Sequence, residues 1–274
     1  MVPFAFLQGL DNDLAETLLK QIRDRWTSDS TGIEGNTLTL GDTSFLLEEG
    51  LTVKGKPLRD HEEVVGHARA IDLMYDLVER PAGRLAEADL HRLHEAVLTE
   101  KVVDIDSPVG GWKRTPNSSR VVVDGRQHII EYAPPEAVAP LMQRWIERAN
   151  ETDRADHSRQ SALSAYTDLH LGLVSIHPYF DGNGRMARLL SNLPVLRSGY
   201  PPIVVPREDR RDYIEAIARY QLAVGQWSQT SDIAPDQPAK VPFRQLVERW
   251  WETTMELVDE VHRRQKGRDE AAGN

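Results

Sequence analysis

The chain has 274 residues, which is long enough to bury a sizeable hydrophobic core without disulfides or a structural metal. It contains no cysteine, which excludes disulfide bonds, thiolate metal sites and thiol catalysis. Its net charge of −10 argues against a surface built to grip nucleic acid phosphates, so we expect no direct nucleic acid partner. No stretch approaches the roughly 18 uninterrupted apolar residues of a membrane-spanning helix, and no signal peptide is recognisable. We therefore expect a cytoplasmic protein without a membrane partner.

Helical periodicity dominates the chain and begins with an apolar stripe at Leu14, Leu18, Ile22 and Trp26. A short helix closed by Gly50 follows. Further helices are predicted, in chain order, at about 64–78, 85–98, 136–149 and 160–176, then from 184, from 206 and at 243–264. We expect a loop over 226–242, which is rich in Gln, Ser, Asp and Pro, and a frayed tail over 266–274.

One segment, residues 119–132, departs from the helical pattern. Two β-branched runs flank Asp124 and Gly125, a dipeptide that tolerates the positive φ angles of a tight hairpin turn. The predicted fold is therefore all-α, mainly helical, with one β-hairpin on its surface.

Residues 177–188 read HPYFDGNGRMAR and concentrate the groups that could carry chemistry. Pro178 disfavours helical geometry at His177, so the preceding helix should end there. The following turn contains two glycines that let backbone N–H groups approach a ligand, and it opens a helix whose first N–H groups form an anion site. Arg185 and Arg188 lie near that helix start, where a bound polyanion would compensate their unfavourable interaction with the helix dipole.

A histidine and a carboxylate complete this segment. Asp181 is a hard oxygen ligand suited to a Mg²⁺ ion that bridges two phosphates. His177 is a titratable base at the rim of the turn, able to take a proton from an incoming nucleophile. The set predicts a site for nucleotidyl or phosphoryl transfer.

The same segment resembles the signature of the Fic family, HPFx(D/E)GNGRxxR, with Tyr179 in place of the phenylalanine. The resemblance extends over roughly residues 30–220 and includes Gly111-Trp-Lys-Arg114 before the hairpin. It implies a helical Fic core that transfers AMP from ATP, with Mg²⁺, to a Ser, Thr or Tyr hydroxyl of a target protein.

The resemblance also implies a role for each motif residue. His177 would deprotonate the target hydroxyl, Asp181 would hold the Mg²⁺ ion, and Arg188 would grip the γ-phosphate. Tyr213, in an Arg-x-x-Tyr context, matches a tyrosine that flanks the adenine pocket of relatives. The implied nucleotide-binding set is Asp181, Gly182, Asn183, Gly184, Arg185, Arg188 and Tyr213.

The hairpin is predicted to act as a flap. Its edge can accept a target segment as an added strand and hold a hydroxyl group in line with the α-phosphate. The residues assigned to this docking edge and its turn are Val121, Val122, Val123, Asp124 and Gly125.

Upstream, residues 30–36 are similar to the inhibitory pattern of the family, (S/T)xxxE(G/N), through Ser30, Glu34 and Gly35. In relatives this pattern lies on a helix, and its glutamate pairs with the second arginine of the main motif. The pair would be Glu34 with Arg188, and ATP would then bind in an unproductive pose. Gly32 falls inside the pattern, where glycine costs about 1 kcal/mol relative to alanine in a helix.

Three other histidines need no catalytic role. His170 lies seven residues before His177, but no third ligand has metal spacing, so a packed side chain is predicted. His91 and His94 lack the HExxH arrangement and are predicted to lie on a partly buried helix face.

We expect four regions: an N-terminal helical region over 1–84 with the inhibitory motif, a Fic core over 85–205, C-terminal helices over 206–265, and the tail. Two alternatives stay open. The same site could remove AMP from a target, with Glu34 orienting a water molecule, or the chain could be a nucleotide-sensing interaction module with little catalysis. The sequence leaves the oligomeric state open, a homo-oligomer included.

Overall fold

The computed structural model describes residues 4–80, 84–99, 108–152 and 158–272. Its elements are α1 (Asn12–Ile33), α2 (Leu40–Glu49), α3 (Leu58–Glu79), α4 (Glu87–Val97), β1 (Ser118–Val123), β2 (Arg126–Glu131), α5 (Pro135–Thr152), α6 (Arg159–Ile176), α7 (Asn183–Leu190), α8 (Leu193–Arg197), α9 (Arg210–Val224) and α10 (Lys240–Ala272). Short 3₁₀ turns cover Ala5–Leu7 and Arg207–Asp209. This mainly helical architecture with one antiparallel hairpin confirms the predicted fold class. Among the helices described, none is both long and apolar enough to cross a bilayer.

Helix α6 lies at the centre of the fold. Every residue from Leu169 to Ile176 is buried, as expected for a helix that is apolar on all sides. It packs against α5, α7, α8, α9 and α10. Because α6 ends at Ile176 inside this packing, the residue that follows it, His177, emerges from the core at a fixed position.

One continuous hydrophobic cluster joins the N-terminal and C-terminal helices to this core. It includes Trp26 on α1, Trp145 on α5 and Trp250 on α10, each at most 1% exposed. Helix α1 therefore belongs to the same packed body as α6. This packing determines where the C-terminal end of α1 meets the functional segment.

The last helix is longer than the sequence predicted. It runs from Lys240 to Ala272, so the expectation of a frayed tail over 266–274 is wrong as far as Ala272. Arg268 forms an ion pair with Asp13 near the start of α1, with 2.8 Å between Nη2 and Oδ2. The amide Oε1 of Gln265 also accepts a hydrogen bond from the N–H of Asp11 at 2.8 Å. These contacts with α1 explain why a polar, glycine-containing tail stays helical.

The hairpin forms as predicted. Strands β1 and β2 pair in antiparallel register, and Val123 faces Arg126 across the turn. Asp124 and Gly125 have φ angles of +52° and +72°, the left-handed values that a two-residue turn of this kind requires. The inner face packs Val123 against α9, whereas Val122 on the outer face is 64% exposed.

Candidate active site

The loop between α6 and α7 is closed by its own residues. His177 takes a left-handed conformation (φ +53°) and ends α6, as the following proline predicted. The side chain of Asn183 accepts a hydrogen bond from the N–H of Tyr179 (2.9 Å) and donates one to the Tyr179 carbonyl (2.8 Å). Asn183 therefore fixes the loop with its side chain, and only its backbone N–H remains for the predicted anion nest.

The start of α7 supplies that nest. Gly182 is the N-cap residue, with φ +79°, and the first intrahelical bond runs from the N–H of Met186 to the Gly182 carbonyl. The N–H groups of the residues between them precede this bond and need a partner from outside the helix. The side chain of Asp181 lies beside them and is 68% exposed. The structure thus brings a carboxylate and open N–H groups together.

A histidine that sequence reasoning treated as part of a helix face holds this loop in place. His94 on α4 accepts a hydrogen bond from the N–H of Gly110 at Nδ1 (2.9 Å), so its Nε2–H donates to the Asp181 carbonyl (3.1 Å). Its ring stacks on Tyr179 with 3.7 Å between centroids. Burial lowers the pKa of His94 to about 4, which keeps the ring neutral and this donor pattern intact. No local sequence signal connects His94 with a partner 87 residues away.

The ring of His177 is oriented chiefly by stacking. It lies 3.6 Å from the ring of Tyr132, centroid to centroid, with 6° between the planes. Its Nδ1 is 3.4 Å from the Val174 carbonyl, longer than an ordinary hydrogen bond. Burial, and then the positive charge of Lys113, lower the pKa of His177 to about 3. The imidazole is therefore neutral at pH 7 and able to accept a proton. Tyr132 was not identified from the sequence as part of the site.

The two arginines of α7 face different parts of the molecule. Arg185 is 5% exposed; its Nη2 lies 3.5 Å from Asp181 Oδ2 in its own loop, and its Nη1 lies 3.4 Å from the Val97 carbonyl of α4. Arg188 is 1% exposed and points toward α1. The two guanidinium groups near the helix start thus face different partners, Arg185 the motif loop and Arg188 helix α1.

Arg188 contacts the residues of the predicted inhibitory pattern. Its Nε donates to Ser30 Oγ (3.0 Å), and its Nη2 donates to the Ser30 carbonyl (2.9 Å) and to Glu34 Oε1 (2.6 Å). Burial alone would raise the pKa of the Glu34 carboxyl, but the charges of Arg188 and its neighbours outweigh this effect and hold the pKa below its ordinary value. The Glu34–Arg188 pair is therefore fully charged at pH 7.

Two glycines make this pairing sterically feasible. A Cβ on Gly184 would lie 2.7 Å from Glu34 Oε1, so only glycine lets the glutamate approach α7 this closely. Gly35 has φ +102°, a conformation that side-chain-bearing residues avoid, and turns the chain directly after Glu34.

Tyr213 is buried beside Arg188, and its expected place beside the nucleotide base stays a prediction. It is 3% exposed, and its hydroxyl lies 3.3 Å from Arg188 Nη1 and 3.0 Å from His170 Nε2. The buried ring borders Phe243 and Trp250. Tyr213 therefore acts on the site by supporting Arg188. His170 is fully buried in this packing, as predicted.

The predicted docking residues lie on β1 and its turn, but they are not equally available. Val123 is 5% exposed and packs inward, and Val121 packs partly against the same small cluster. Val122 is the exposed member. At the turn, Asp124 is paired with Arg219 of α9, with 3.0 Å between Oδ2 and Nη1. The flap tip is thus tied to α9 by one exposed ion pair.

Comparison with known proteins agrees with this geometry. The Fic/DOC family model matches residues 84–195. Protein adenylyltransferase fic-1 of Caenorhabditis briggsae is 32% identical over 193 residues, which are 69% of this chain and 34% of that protein. Protein adenylyltransferase Fic of Drosophila persimilis is 36% identical over 187 residues, which are 67% and 33% of the two chains. The chain thus spans about a third of the length of these curated relatives.

The fold similarity covers nearly the whole chain. The crystal structure of a Fic domain containing signaling protein from Bacteroides thetaiotaomicron VPI-5482 superposes with a TM-score of 0.79 at 27% identity. The match covers 95% of this chain and 93% of that chain. Together with the motif at 177–188, these matches identify a domain of the Fic/DOC family over residues 84–195.

Proposed function

We propose that this chain is a protein adenylyltransferase that transfers AMP from ATP to a hydroxyl side chain of a target protein. The curated relatives named above carry that activity in their names. The observation that carries the proposal is one loop–helix unit that joins a neutral histidine, open backbone N–H groups and two guanidinium groups. The proposal includes the division of the chain into regions 1–84, 85–205 and 206–265 and a cytoplasmic location.

In the proposed reaction the target hydroxyl oxygen attacks the α-phosphorus of ATP. The bond between the α-phosphorus and the oxygen that leaves with pyrophosphate breaks, and His177 accepts the proton of the hydroxyl group. Because its pKa lies far below 7, His177 starts in the basic form that this step needs. The N–H groups at the start of α7 and the Arg185 guanidinium would balance the negative charge of the phosphate chain.

Asp181 is the proposed protein ligand of Mg²⁺. Within the described part of the chain no cluster of three or more acidic or histidine side chains is available to hold a metal. A single exposed carboxylate nevertheless suits Mg²⁺, which is commonly bound by one or two carboxylates and by substrate phosphates. When bound, the ion would polarise the phosphate oxygens.

The target would dock along the flap as an extended segment. Each strand of the hairpin has one neighbour among the described strands, so main-chain groups on its outer side can pair with an added strand. The exposed Val122 side chain could then contact the target without imposing a strict sequence.

We further propose that Glu34 inhibits the transfer. The Glu34 carboxylate binds the Arg188 guanidinium group, which would otherwise hold the γ-phosphate. ATP would then be misplaced at the α-phosphate, and misplacement of about 1 Å can cost about 10²-fold in rate. Removal of the carboxylate should therefore activate the protein.

The test is the intact mass of the purified chain after incubation with Mg-ATP. We expect Glu34→Gly to gain one or more AMP groups by self-modification, well above the wild type. The double change Glu34→Gly with Arg188→Ala should be slow, because the γ-phosphate then loses its anchor. A nucleotide-sensing module would bind ATP without any gain in mass, and a fully active double variant would contradict the inhibitory role of the pair.

A further inference from the structure

The position of Gly32 in the last turn of α1 calls for a physical reason, because glycine weakens a helix. A Cβ built on Gly32 would lie 2.7 Å from Cζ and 2.8 Å from Nε of Arg207. The guanidinium group therefore approaches the α1 backbone at a point where only a hydrogen atom fits. The close approach of Arg207 offsets the cost of the glycine.

Arg207 also holds the segment that follows α1. Its Nη1 donates to the Leu38 carbonyl at 2.9 Å, and its Nη2 donates to the Asn36 carbonyl at 3.2 Å. Its positive charge lies at the C-terminal end of α1, where the helix dipole favours a cation. One side chain thus links the last turn of α1 to the four residues beyond Glu34, which is the C-cap residue between these contacts.

We propose that Arg207 is a positioning residue that holds residues 32–38 so that Glu34 reaches Arg188. We call this set of contacts, from Arg207 to Gly32, Asn36 and Leu38, the Arg207 clamp. The inference rests on the proposed inhibition by Glu34 and assigns its control to a residue outside both motifs. When the clamp opens, the chain around Glu34 loses two hydrogen bonds and the steric contact that fixes the end of α1.

A cavity beside Arg207 provides a second position for its guanidinium group. This cavity has a volume of about 550 Å³, with Ser28, Asp29 and Thr254 among the lining residues. Within the described residues Asp29 forms no ion pair, and its one hydrogen bond is a long contact of 3.5 Å from the Arg207 N–H. Burial raises the pKa of the Asp29 carboxyl to about 6, as expected for a carboxyl group with little compensation. A displaced guanidinium group therefore has space to enter and a carboxylate to meet.

The first experiment compares transfer rates. We expect Arg207→Ala and Gly32→Ala each to raise self-modification with Mg-ATP by at least about tenfold, because the loss of even one of the two hydrogen bonds of this charged group is expected to have an effect of that size. Gly32→Ala acts because the new methyl group displaces Arg207 from its two carbonyl partners. Arg211→Ala is the matched control, since Arg211 is an exposed neighbour on α9, and it should behave as the wild type.

The second experiment asks whether the effect passes through Glu34. In the Glu34→Gly background, Arg207→Ala should give no further increase, because no inhibitory carboxylate is left to position. A general loosening of the structure would instead change the rate in both backgrounds. A further rise or a fall upon Arg207→Ala in the Glu34→Gly background would overturn the clamp.

A double-substitution cycle tests the steric contact itself. Alone, Gly32→Ala should lower the melting temperature, because it forces Arg207 away. Arg207→Ala removes the three atoms nearest to the new Cβ, so in that background the same alanine adds helix propensity and should raise the melting temperature above that of Arg207→Ala. The same sign in both backgrounds would show that Gly32 and Arg207 do not form the proposed contact.

Failure of the clamp can be separated from failure of the proposed function. If Glu34→Gly transfers AMP but Arg207→Ala does not exceed the wild type, the clamp is wrong and the function stands. If Glu34→Gly is inactive as well, amide hydrogen exchange over residues 33–38 decides the question independently. We expect exchange there to be about tenfold faster in Arg207→Ala, and equal rates would refute the clamp.

Discussion

The motif segment 177–188 and the flap 118–131 are both short and both turn through left-handed residues, yet they are stabilised differently. In the motif segment the side chain of Asn183 is 2% exposed and satisfied by hydrogen bonds within the loop. In the flap, Val122 and Ile129 are 64% and 63% exposed. The segment proposed to perform chemistry is buried and hydrogen-bonded, whereas the surface proposed to meet a variable target is left accessible.

The two regions meet at the base of the flap. Tyr132, the residue after β2, stacks on His177, and its hydroxyl donates to Ser119 Oγ at 2.7 Å. The flap therefore has an exposed tip and a buried base that belongs to the proposed active site. Substitutions in the motif segment, at the flap base and at the flap tip should have decreasing effects.

The largest effect is expected for His177→Ala. Loss of a general base typically costs about 10²–10⁴-fold in rate, while ATP binding should be largely retained because His177 lies outside the phosphate nest. Labelled-AMP transfer and calorimetry with ATP, both in the Glu34→Gly background, separate the two effects. His128→Ala, in the flap strand β2, is the matched control and should change the rate little. If His177→Ala transferred AMP as fast as the Glu34→Gly parent, the assignment of His177 as the general base would be wrong.

Asp181→Ala should weaken the binding of Mg²⁺ in the presence of ATP. We expect the apparent affinity for Mg²⁺ in the presence of ATP to fall about 10- to 100-fold, the range seen when groups of a metal site are removed. Titration of Mg²⁺ at fixed ATP measures it. If Mg²⁺ changes ATP affinity equally in Asp181→Ala and in the parent, another group holds the ion.

Asn183→Ala should lower the stability of the fold. It leaves the buried N–H of Tyr179 without its partner and the Tyr179 carbonyl with only the bond from Asn117 (3.1 Å), and an unsatisfied buried group costs about 1–3 kcal/mol. Urea unfolding monitored by tryptophan fluorescence gives the change in free energy of unfolding. A midpoint equal to that of the wild type would show that the loop does not depend on Asn183.

The pH dependence tests the flap base. A histidine with the ordinary pKa near 6.5 would lose about tenfold in activity at pH 5.5, because the base form disappears as pH falls through the pKa. Burial and Lys113 lower the pKa of His177 to about 3, so the activated Glu34→Gly variant should keep its rate at pH 5.5. Tyr132→Ala exposes the His177 ring to solvent and should move the acidic limb of the pH–rate profile toward pH 6.5. Tyr132→Phe keeps a ring stacked on His177 and should leave the profile unchanged. If the pH–rate profile of the Glu34→Gly parent had its acidic limb near pH 6.5, His177 would not be shielded from solvent as described.

The smallest effect is expected at the flap tip. Asp124→Asn removes the charge of the exposed ion pair with Arg219 but keeps a side chain that tolerates the left-handed φ of +52°, and such pairs contribute little to stability. The melting temperature should not change measurably, and self-modification should stay within about twofold of the parent. A clear loss of stability would mean that the tip is as firmly held as the motif segment, which would remove the contrast between the two regions.

Local chemistry made part of the site predictable from the sequence. The proline after His177 ended α6 at the expected residue, and Asp124-Gly125 produced the expected turn. The resemblance paired Glu34 with Arg188, and the structure contains that contact together with a hydrogen bond from Arg188 to Ser30 that the sequence did not predict. It also suggested that Tyr213 flanks the adenine pocket, which stays a prediction, and the structure adds a contact between the Tyr213 hydroxyl and Arg188.

The sequence by itself determined the helical class, the hairpin, and the residue types gathered at 177–188, because these follow from periodicity, turn preferences and a contiguous motif. Only the tertiary structure decided which residues orient that motif. His94 lies 87 positions from Asp181, and Arg207 lies 169 positions from Leu38. The helical tail depends on Arg268 and Asp13, which are 255 positions apart. Contacts of this kind leave no period or turn signal in the chain, since they form only when packing of the helices around α6 brings distant segments to the same place.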